Sequence, residues 1–576
     1  MPVYNADVVE IFQQVADLLE IEGANQFRVR AYRNAARTIE TLSGSVAEMV
    51  EQGEDLSQLD GIGEDLAGKI EEIVNTGRLQ QLEEIQQRTP ANLSEMLDIS
   101  GLGPKRVEKI HHQLGVDGLE GLREAAENGR IQELNGLGPK TEAKILEDLE
   151  SLDAEEERTR LDVAEEMTEP LLEYLLEAPA VERAEVAGSY RRRKETVGDL
   201  DILVISDAGA EVIARFVDFE DVEKVISQGE TRSSVMMRSD LQVDLRVVPA
   251  ESYGAALMYF TGSKAHNIAL RDRALDRGYK VNEYGVFEQD QEEGDQVAGI
   301  SEEEIYQFFG LDFIVPELRE DRGELKVAAE GKLPALLTLE DIRGDLQAHT
   351  TASDGRATLE EMARGAADRG YAYFAVTDHT SYIGVTQGMD GEEFLVRNDQ
   401  IDELNERMAD IQLLKSAEID IHEDGSLDLE NEVLKTFDLV LVSIHSHFGL
   451  SHQKQTRRIL TALDNPHVHV LAHPTGRRIN EREPYRYDLE KVITAARERG
   501  CFLEINAQPG RLDLKDTHCQ LAKEMGLKLV ISTDAHSVNE LDVMRYGVDQ
   551  ARRGWLTADD VINTRSWPEL KKLLQR

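Results

Sequence analysis

Cysteine is nearly absent from the sequence. Only Cys501 and Cys519 occur among 576 residues, and they could form at most one disulfide. A fold held together by disulfides is therefore excluded, and a reducing interior is expected. No apolar run reaches the ~18 residues that a membrane span needs, and no basic segment followed by an apolar one opens the chain. We expect a cytoplasmic protein with no membrane partner.

Basic residues are also scarce. Lys and Arg number 64 against 112 Asp and Glu, which gives a formal net charge of −48. Because proteins that bind nucleic acid usually carry a basic face, composition alone favours a protein that does not bind DNA. An acidic surface also keeps a protein soluble in concentrated salt, where the screening length falls to roughly 3 Å at 1 M. The charge therefore predicts a salt-loving host.

One short glycine pattern occurs three times near the start of the chain. It reads Gly61-Ile62-Gly63, Gly101-Leu102-Gly103 and Gly136-Leu137-Gly138. Each copy permits a tight bend before a helical apolar rhythm and exposes backbone amides at the start of a helix, where they can hold a phosphate without side-chain charge. The pattern resembles the helix-hairpin-helix DNA-binding motif. One copy is common in proteins, but three indicate binding to the DNA backbone without sequence preference.

Three aspartates predict a site for phosphoryl transfer. Asp199 and Asp201 are two apart on a predicted strand, so both carboxylates point to one face. Asp244 lies on a later strand, and three convergent carboxylates suit two Mg²⁺ ions. The preceding turn, Gly188-Ser189, offers amides and a hydroxyl for nucleotide phosphates, and Arg192 offers positive charge. A solvated strand edge is the alternative for an isolated Asp-x-Asp pair.

This constellation resembles the nucleotidyltransferase superfamily, and a later segment resembles the family-X DNA polymerases. The segment contains Tyr259, Phe260, Gly262, Asn267 and Arg271. The resemblance, over about residues 1–320, implies that the first three adjoin the incoming sugar and that the other two touch the base pair. It also implies gapped or primed DNA and deoxynucleoside triphosphates as partners. A monomer is expected.

The same resemblance leaves two roles open for Lys69. It matches the position of a nucleophile that forms a Schiff base with an opened deoxyribose in the family's lyase domain. Tyr32 and Arg28 match supporting positions. However, Asp65 stands where the family often has a second lysine, so Lys69 is either a lyase nucleophile or a structural and DNA-contacting residue.

Histidine is concentrated at the other end of the chain. Eleven of the fourteen histidines lie after residue 340, and many ligand-type residues follow predicted strands. Such residues at the carboxyl ends of successive strands are typical of the active face of a (β/α) barrel. Mixed histidine and carboxylate ligands favour Mn²⁺ or Zn²⁺ over Mg²⁺.

This part, residues 341–576, resembles the polymerase-and-histidinol-phosphatase (PHP) domain. The resemblance implies three metal sites. They comprise His349, Glu418 and Asp534; Glu418, His445 and His473; and Asp354, His379 and His536. Many such domains begin with His-x-His, whereas Gln347 stands first here, so the first site is expected to bind weakly or not at all. His422, His447, His452 and Glu504 are expected to surround the site or lie on the surface.

The predicted fold class is multidomain: a helical helix-hairpin-helix region, an α+β nucleotidyltransferase palm with a thumb, and a (β/α) PHP barrel. The predicted parts are a lyase-like domain (1–88), fingers (89–150), palm (151–250), thumb (251–320), linker (321–340) and barrel (341–576). The expected function is gap-filling DNA polymerase with a 3′-5′ exonuclease and an activity at abasic sites. Two alternatives stay open: a polymerase with an inactive barrel, and a small-molecule phosphatase fused to another nucleotidyltransferase.

Overall fold

The computed structural model of the chain describes residues 5–40, 46–51, 53, 55–59, 61–86, 88–93, 95–99, 102–134, 137–155, 158–289, 295–381 and 388–575. The chain divides into two compact units, one ending at residue 157 and the other beginning at Arg158. Among the described residues, no helix is both long enough and apolar enough to cross a membrane.

The first unit is helical. Its helices are α1 (Asn5–Ile21), α2 (Gln26–Glu40), α3 (Val46–Glu51), α4 (Glu64–Thr76), α5 (Gln80–Gln86), α6 (Pro104–Leu114), α7 (Leu119–Glu127) and α8 (Pro139–Glu155). Apolar residues recur at helical spacing, as Leu66, Ile70 and Ile73 do on α4, and they are buried. Phe12 on α1 packs edge to face on Tyr32 of α2, with 5.3 Å between the ring centres.

The second unit begins with a mixed sheet. Its elements are β1 (Thr159–Arg160), α9 (Leu161–Leu176), β2 (Arg183–Val186), α10 (Gly188–Arg191), β3 (Thr196–Val197), β4 (Asp199–Ile205), α11 (Gly209–Val217), β5 (Val222–Gln228), β6 (Arg232–Met237) and β7 (Gln242–Val248). The five-stranded sheet has the order β2-β4-β7-β6-β5, in which only β4 and β7 are parallel neighbours. The short strand β1 pairs antiparallel with β3.

A smaller helical part follows. It contains α12 (Tyr253–Thr261), α13 (Lys264–Leu275), β8 (Tyr279–Asn282), β9 (Gly285–Glu288), α14 (Glu302–Phe308) and α15 (Glu324–Ala329). Helix α15 lies inside the segment predicted as a linker. Its Ala328 and Leu325 belong to the same apolar core as Met258 and Tyr306, and its Glu324 is fully buried. Apolar side chains within this charged segment therefore pack it against the neighbouring helices.

A parallel barrel completes the unit. Its elements are β10 (Gly344–Asp345), α16 (Leu359–Asp368), β11 (Tyr373–Val376), α17 (Gly391–Arg407), β12 (Gln412–Asp420), α18 (Asn431–Leu434), β13 (Leu439–Ser443), α19 (His452–Leu463), β14 (Val470–Leu471), α20 (Leu489–Arg499), β15 (Phe502–Asn506), α21 (Asp516–Glu524), β16 (Leu529–Ser532), α22 (Met544–Arg553) and α23 (Trp567–Leu573). The strands follow one another in chain order. A parallel bridge between Ala348 and Ala535 joins the extensions of β10 and β16. The predicted fold class of helical, α+β and (β/α) parts is confirmed.

Candidate active sites

The three predicted polymerase carboxylates lie on adjacent strands. Asp199 and Asp201 are the first and third residues of β4, and Asp201 is opposite Asp244 of β7. Burial and the charges of Asp199 and Asp244 raise the pKa of Asp201 to about 7. Burial and Asp244 also raise the pKa of Asp199. The cluster therefore holds mutually repelling carboxylates, an arrangement that a divalent cation stabilises.

The predicted phosphate turn approaches these carboxylates closely. Gly188 begins α10 with φ of 64°, a conformation that favours glycine. A Cβ on this residue would lie 3.4 Å from the Oδ2 atom of Asp201. The amide of Ala187 donates to the carbonyl oxygen of Asp201 at 2.7 Å. Gly188 and Ser189 are thus placed beside the carboxylate strand.

Arg192 connects this turn to the predicted sugar-facing turn. Its guanidinium donates to the carbonyl oxygen of Thr261 at 2.5 Å and to Glu320 at 3.0 Å. A Cβ on Gly262 would lie 3.3 Å from its Nη1 atom. Because Glu320 pairs with it, Arg192 does not present a bare charge to a phosphate in this conformation.

The other predicted nucleotide-binding residues lie around the end of α12. Tyr259 and Phe260 are in edge-to-face contact, with 5.2 Å between the ring centres. The side-chain amide of Asn267 donates to the carbonyl oxygen of Tyr259 at 2.7 Å, and its Oδ1 atom is buried without a hydrogen-bond partner in the described chain. Arg271 is exposed on α13. These contacts join Tyr259, Phe260 and Asn267, while Arg271 faces solvent.

Glycine stands at the start of three helices in the first unit. Gly63 and Gly103 cap the amino ends of α4 and α6, and the carbonyl oxygen of Gly138 accepts from amides in the first turn of α8. Gly61 has φ of 74°, so the bend requires glycine there. Two further predicted positions, Gly101 and Gly136, lie outside the described residues.

Lys69 lies on α4 near Tyr32. Its Nζ atom pairs with Asp65 and lies 5.3 Å from the centre of the Tyr32 ring. Burial lowers the pKa of Lys69, but Asp65 and Tyr32 raise it above its ordinary value. A nucleophilic amine must lose its proton, so this environment disfavours Schiff-base formation at neutral pH. The hydroxyl of Tyr32 is engaged elsewhere, donating to Gln81 at 2.8 Å.

The barrel brings the first predicted metal-binding group together. The Nε2 atom of His349 lies 3.0 Å from Oδ1 of Asp534 and 3.3 Å from Oε2 of Glu418. All three side chains are buried, and their ligand atoms lie close enough to share one ion. Glu418 lies inside β12 and does not follow it, because pairing with β13 extends to Asp420.

Glu418 also anchors the second predicted group. Its Oε1 atom lies 2.9 Å from Nε2 of His473 and 3.3 Å from Nε2 of His445. Around His445, however, the group whose ligand atoms all lie within 4.8 Å of one another is His379, Glu418 and His445. The Nδ1 atom of His379 is 3.6 Å from Oε2 of Glu418. His379, predicted only for the third group, thus lies within reach of the second.

The third predicted group lies beside the first. The Oδ2 atom of Asp354 is 3.4 Å from Nε2 of His536 and 3.5 Å from Nε2 of His379. The ring of His349 stacks on both imidazoles, with centres 4.3 and 4.4 Å away. All the predicted barrel ligands therefore form one continuous cluster.

Gln347 lies within this cluster. Its side-chain amide donates to Oε2 of Glu418 at 2.9 Å and to Oδ1 of Asp534 at 3.3 Å. Its Oε1 atom is buried and has no hydrogen-bond partner among the described residues. The amide therefore occupies the place beside the first group that the resemblance assigns to an imidazole.

Several buried acidic residues that support the cluster were not singled out from the sequence. Asp378 accepts from the Thr350 amide and from Arg397 at 2.8 and 3.0 Å. Asp420 lies 3.2 Å from Nδ1 of His445. Their positions beside His379 and two residues after Glu418 were the available signals. Asp378 thus fixes the segment at Thr350, and Asp420 fixes the imidazole of His445, as residues around a metal commonly do.

Glu504 is fully buried inside β15, so of its two expected positions, around the site or on the surface, it takes the first. It accepts from the amide of His473 at 2.7 Å and from the side chain of Asn506 at 3.2 Å. Burial and the charges of Asp534 and Glu418 raise its pKa well above the usual range. Glu504 thus lies inside the barrel on β15, next to the ligand His473 and not among the ligands themselves.

The imidazoles of the cluster differ in their protonation. Burial lowers the pKa of His349, but hydrogen bonds to Asp534 and Glu418 raise it well above the ordinary value. Likewise, Glu418 and Asp420 outweigh burial and raise the pKa of His445 to about 9. Burial lowers the pKa of His379 to about 4. The imidazoles whose pKa is raised must therefore release protons before they can bind a metal.

The cluster opens into a cavity of about 540 Å³. Four arginines line it, namely Arg160, Arg356, Arg478 and Arg511. Arg160 comes from β1 and pairs with Asp162, while Arg511 lies 3.7 Å from Asp534. Cationic side chains beside a carboxylate and imidazole cluster suit a phosphoester substrate.

Three segments match described protein families. Residues 3–79 match a helix-hairpin-helix domain, residues 93–151 match a SAM-like helix-hairpin-helix tandem, and residues 256–320 match the DNA polymerase beta thumb. The matches cover the three helix starts with glycine and the region of α12 to α14.

Whole proteins are similar as well. Over 575 residues, all of both chains, the sequence is 38% identical to the DNA polymerase/3′-5′ exonuclease PolX of Bacillus subtilis (strain 168). It is 34% identical over 232 residues to a probable phosphatase of Thermoanaerobacter sp. (strain X514), covering 38% of this chain and 90% of that protein. A probable phosphatase of Syntrophotalea carbinolica (strain DSM 2380) is 26% identical over 229 residues, with the same coverage.

Proposed function

Since this chain belongs to family X of the DNA polymerases, we propose that it adds deoxynucleotides to primer ends in short DNA gaps and removes nucleotides from 3′ ends with its barrel. The proposed substrates are gapped or primed DNA and deoxynucleoside triphosphates. The proposed setting is base excision repair, by a monomer in the cytoplasm of a salt-loving host. Cleavage at abasic sites is a further proposed activity of the barrel.

The apposition of Asp201 and Asp244 carries the polymerase half of the proposal. Burial, together with the charges of Asp199 and Asp244, raises the pKa of Asp201 to about 7, so the residues present fit a divalent cation. We assign all three carboxylates as Mg²⁺ ligands. When bound, Mg²⁺ supplies positive charge that favours ionisation of the primer 3′-hydroxyl and neutralises the triphosphate.

The surrounding residues orient the nucleotide. Gly188 has no side chain to block the triphosphate from the carboxylate strand, and Ser189 offers a hydroxyl beside it. Tyr259 and Phe260 form the wall proposed for the sugar. Asn267, whose Oδ1 atom has no hydrogen-bond partner among the described residues, is proposed to contact the base pair. Arg271 is proposed to reach it from the exposed face of α13.

The shared position of Glu418 carries the barrel half. Buried Nδ1 atoms of His349, His379 and His473 have no hydrogen-bond partner in the described parts of the chain, and the facing carboxylates complete a mixed donor set. This set fits Mn²⁺ or Zn²⁺. When bound, these ions supply Lewis acidity toward a phosphoester. Arg160 and Arg511 are proposed to hold the DNA phosphates at the cavity.

The test of both halves uses one gapped duplex in molar KCl with Mg²⁺ or Mn²⁺. We expect Asp199→Ala to abolish primer extension and to leave 3′-end degradation, and His349→Ala to do the reverse. Extension by Asp199→Ala at the wild-type rate would refute the polymerase half. Absence of wild-type degradation with every divalent metal tried would refute the exonuclease half.

DNA binding by an acidic protein needs a source of affinity other than lysine and arginine. We propose that the amides at the helix starts after Gly63, Gly103 and Gly138, with metal-bridged phosphates, supply it. Binding through amides releases few counterions, so affinity should fall less steeply with salt than that of a basic DNA binder. A log–log salt slope as steep as that of a strongly basic protein would contradict this mode of binding.

A further inference from the structure

Helix α22 of the barrel lies against the polymerase segment 192–195. This segment connects the phosphate turn at Gly188–Ser189 to the carboxylate strand that begins at Asp199. Side chains three, four and seven residues apart share one face of a helix. Asp549, Gln550 and Arg553 of α22 contact the segment with this spacing. Tyr546, on the same face, contacts Glu165 of α9.

Carboxylates from both sides hold Arg193 in an unusual conformation. Arg193 has φ of 56°, a left-handed conformation that is unfavourable for a residue with a side chain. Its Nε atom donates to Asp549 at 2.7 Å, and its Nη1 atom donates to Glu165 at 2.5 Å. The hydroxyl of Tyr546 donates to the other oxygen of Glu165 at 2.6 Å. Helix α22 therefore contacts Arg193 both directly and through Glu165.

The two ends of the segment are held as well. The Nη1 atom of Arg553 donates to the carbonyl oxygen of Arg192 at 2.7 Å. Arg477, also from the barrel, donates twice to Glu195, at 2.9 and 2.7 Å. The Arg477 side chain is only 11% exposed, so water screens this bidentate pair much less than a surface pair.

Helix α22 is itself seated tightly on the barrel strands. A Cβ on Gly547 would lie 2.5 Å from Cγ2 of Ile531 and 2.8 Å from Cβ of Ala507. Ile531 belongs to β16, which ends two residues before the cluster residue Asp534. The helix is therefore fixed to the strands of the barrel and gives the segment a rigid support.

The segment in turn supports both turns of the polymerase site. The amide of Lys194 donates to the carbonyl oxygen of Ser189 at 3.1 Å. The guanidinium of Arg192 donates to the carbonyl oxygen of Thr261 at 2.5 Å, beside Gly262. A shift of the segment would therefore move the phosphate turn and the proposed sugar wall together.

We infer that helix α22 and Arg477 of the barrel together hold segment 192–195 where nucleotide addition needs it, so that Arg477, Asp549 and Arg553 are positioning residues of the polymerase. This inference rests on the proposed polymerase activity. None of the three is a predicted metal ligand. The barrel is thus a working part of the polymerase site, separately from any reaction of its own.

The first test compares two matched substitutions in the full-length protein. Asp549→Asn removes the charge that faces Arg193, whereas Asp542→Asn removes the same charge from a barrel pair with Arg369 that lies elsewhere. We expect Asp549→Asn to raise the KM for deoxynucleotide and to lower kcat/KM about tenfold, since small displacements of a site are costly. Asp542→Asn should leave both constants unchanged. The exonuclease rate of both variants should stay within about twofold of wild type.

The second test is a double-mutant cycle on the bidentate pair. Glu195→Gln and Arg477→Gln should each lower polymerase kcat/KM, and the double variant should be no worse than the poorer single variant, because both changes remove one contact. Additive losses, or unchanged polymerase constants in Asp549→Asn, would overturn the inference. A parallel fall of polymerase and exonuclease rates with a lower Tm would overturn it too, by showing general destabilisation. If the wild-type protein does not extend primers, the proposed function fails before any variant is compared.

Discussion

Asp201 on β4 lies directly opposite Asp244 on β7, in the one parallel pairing of the five-stranded sheet. Two strands that run in the same direction thereby place two carboxylates side by side, with Asp199 two residues away. Burial and the two neighbours raise the pKa of Asp201 to about 7. This pKa has consequences for stability as well as for catalysis.

Asp201→Asn should stabilise the metal-free protein while abolishing primer extension. Because the pKa of Asp201 is raised in the folded state, ionising it lowers the free energy of unfolding as pH rises toward 7. This loss of stability is complete above that pH. We expect the variant to gain about 1–2 kcal/mol in free energy of unfolding at about pH 8 in EDTA, and less at about pH 5. Urea denaturation measures both. Mg²⁺ should stabilise the wild type more than the variant, and equal responses would contradict a ligand role for Asp201.

Metal binding to the barrel should strengthen as pH rises. Hydrogen bonds to carboxylates raise the pKa of His349 and, to about 9, that of His445 despite burial. Below these pKa values the imidazoles hold protons that a metal must displace. Calorimetric titration with Mn²⁺ in two buffers of different ionisation enthalpy should therefore reveal proton release at about pH 7 and less of it at about pH 9. Binding with no proton release at either pH would show that His349 and His445 are not ligands.

Gln347→His should tighten metal binding at the first group. The amide of Gln347 already faces Glu418 and Asp534, and an imidazole is a better ligand for Mn²⁺ or Zn²⁺ than an amide. We expect roughly tenfold higher affinity, seen as exonuclease activity at lower Mn²⁺ and as higher metal content after dialysis. Gln347→Ala is the control and should not gain. A histidine variant with wild-type metal affinity would contradict the placement.

Asp65→Asn should make Lys69 more reactive. Asp65 and Tyr32 raise the pKa of Lys69 against the effect of burial, so the amine stays protonated at neutral pH. Without the Asp65 charge, more of it is neutral and able to form a Schiff base. Borohydride trapping on DNA with a 5′ deoxyribose phosphate measures this, with Lys69→Ala as the blank. Equal trapping by wild type and Lys69→Ala would leave Lys69 as a structural residue.

Glu302→Gln should strongly destabilise the second unit. Glu302 bonds Arg191 at 2.7 Å and Arg319 at 2.5 Å, and the Arg319 side chain is fully buried. Removing the shared charge takes a buried carboxylate partner from each arginine and should cost about 3–5 kcal/mol. Burial raises the pKa of Glu302, but the arginines lower it below the ordinary value, so this stabilisation is present at neutral pH and is lost as pH falls below about 4. Glu330→Gln, in an exposed pair with Lys332, should not change the Tm.

Local spacing was sufficient to predict which side chains lie together at both candidate sites. Asp199 and Asp201 share a face because a strand repeats every two residues. The glycines stand at helix starts because only a residue without a side chain takes the required bend easily. His349 and Asp534 meet because the carboxyl ends of parallel strands share one end of a barrel. Each of these placements depends on a few neighbouring residues or, in the barrel, on the shared direction of the strands.

Contacts between remote segments were decided by tertiary structure alone. His379 lies between two ligand groups, Arg192 pairs with Glu320, and Arg193 meets Asp549 although the two are 356 residues apart. The periodicity of a helix or strand fixes which face a side chain leaves, but it does not fix what that face packs against. The sequence determined which residues could do chemistry. Only the packing of α22 against segment 192–195 places a barrel helix where it can hold the polymerase segment. The ion pairs between them form only when the whole fold brings the two surfaces together.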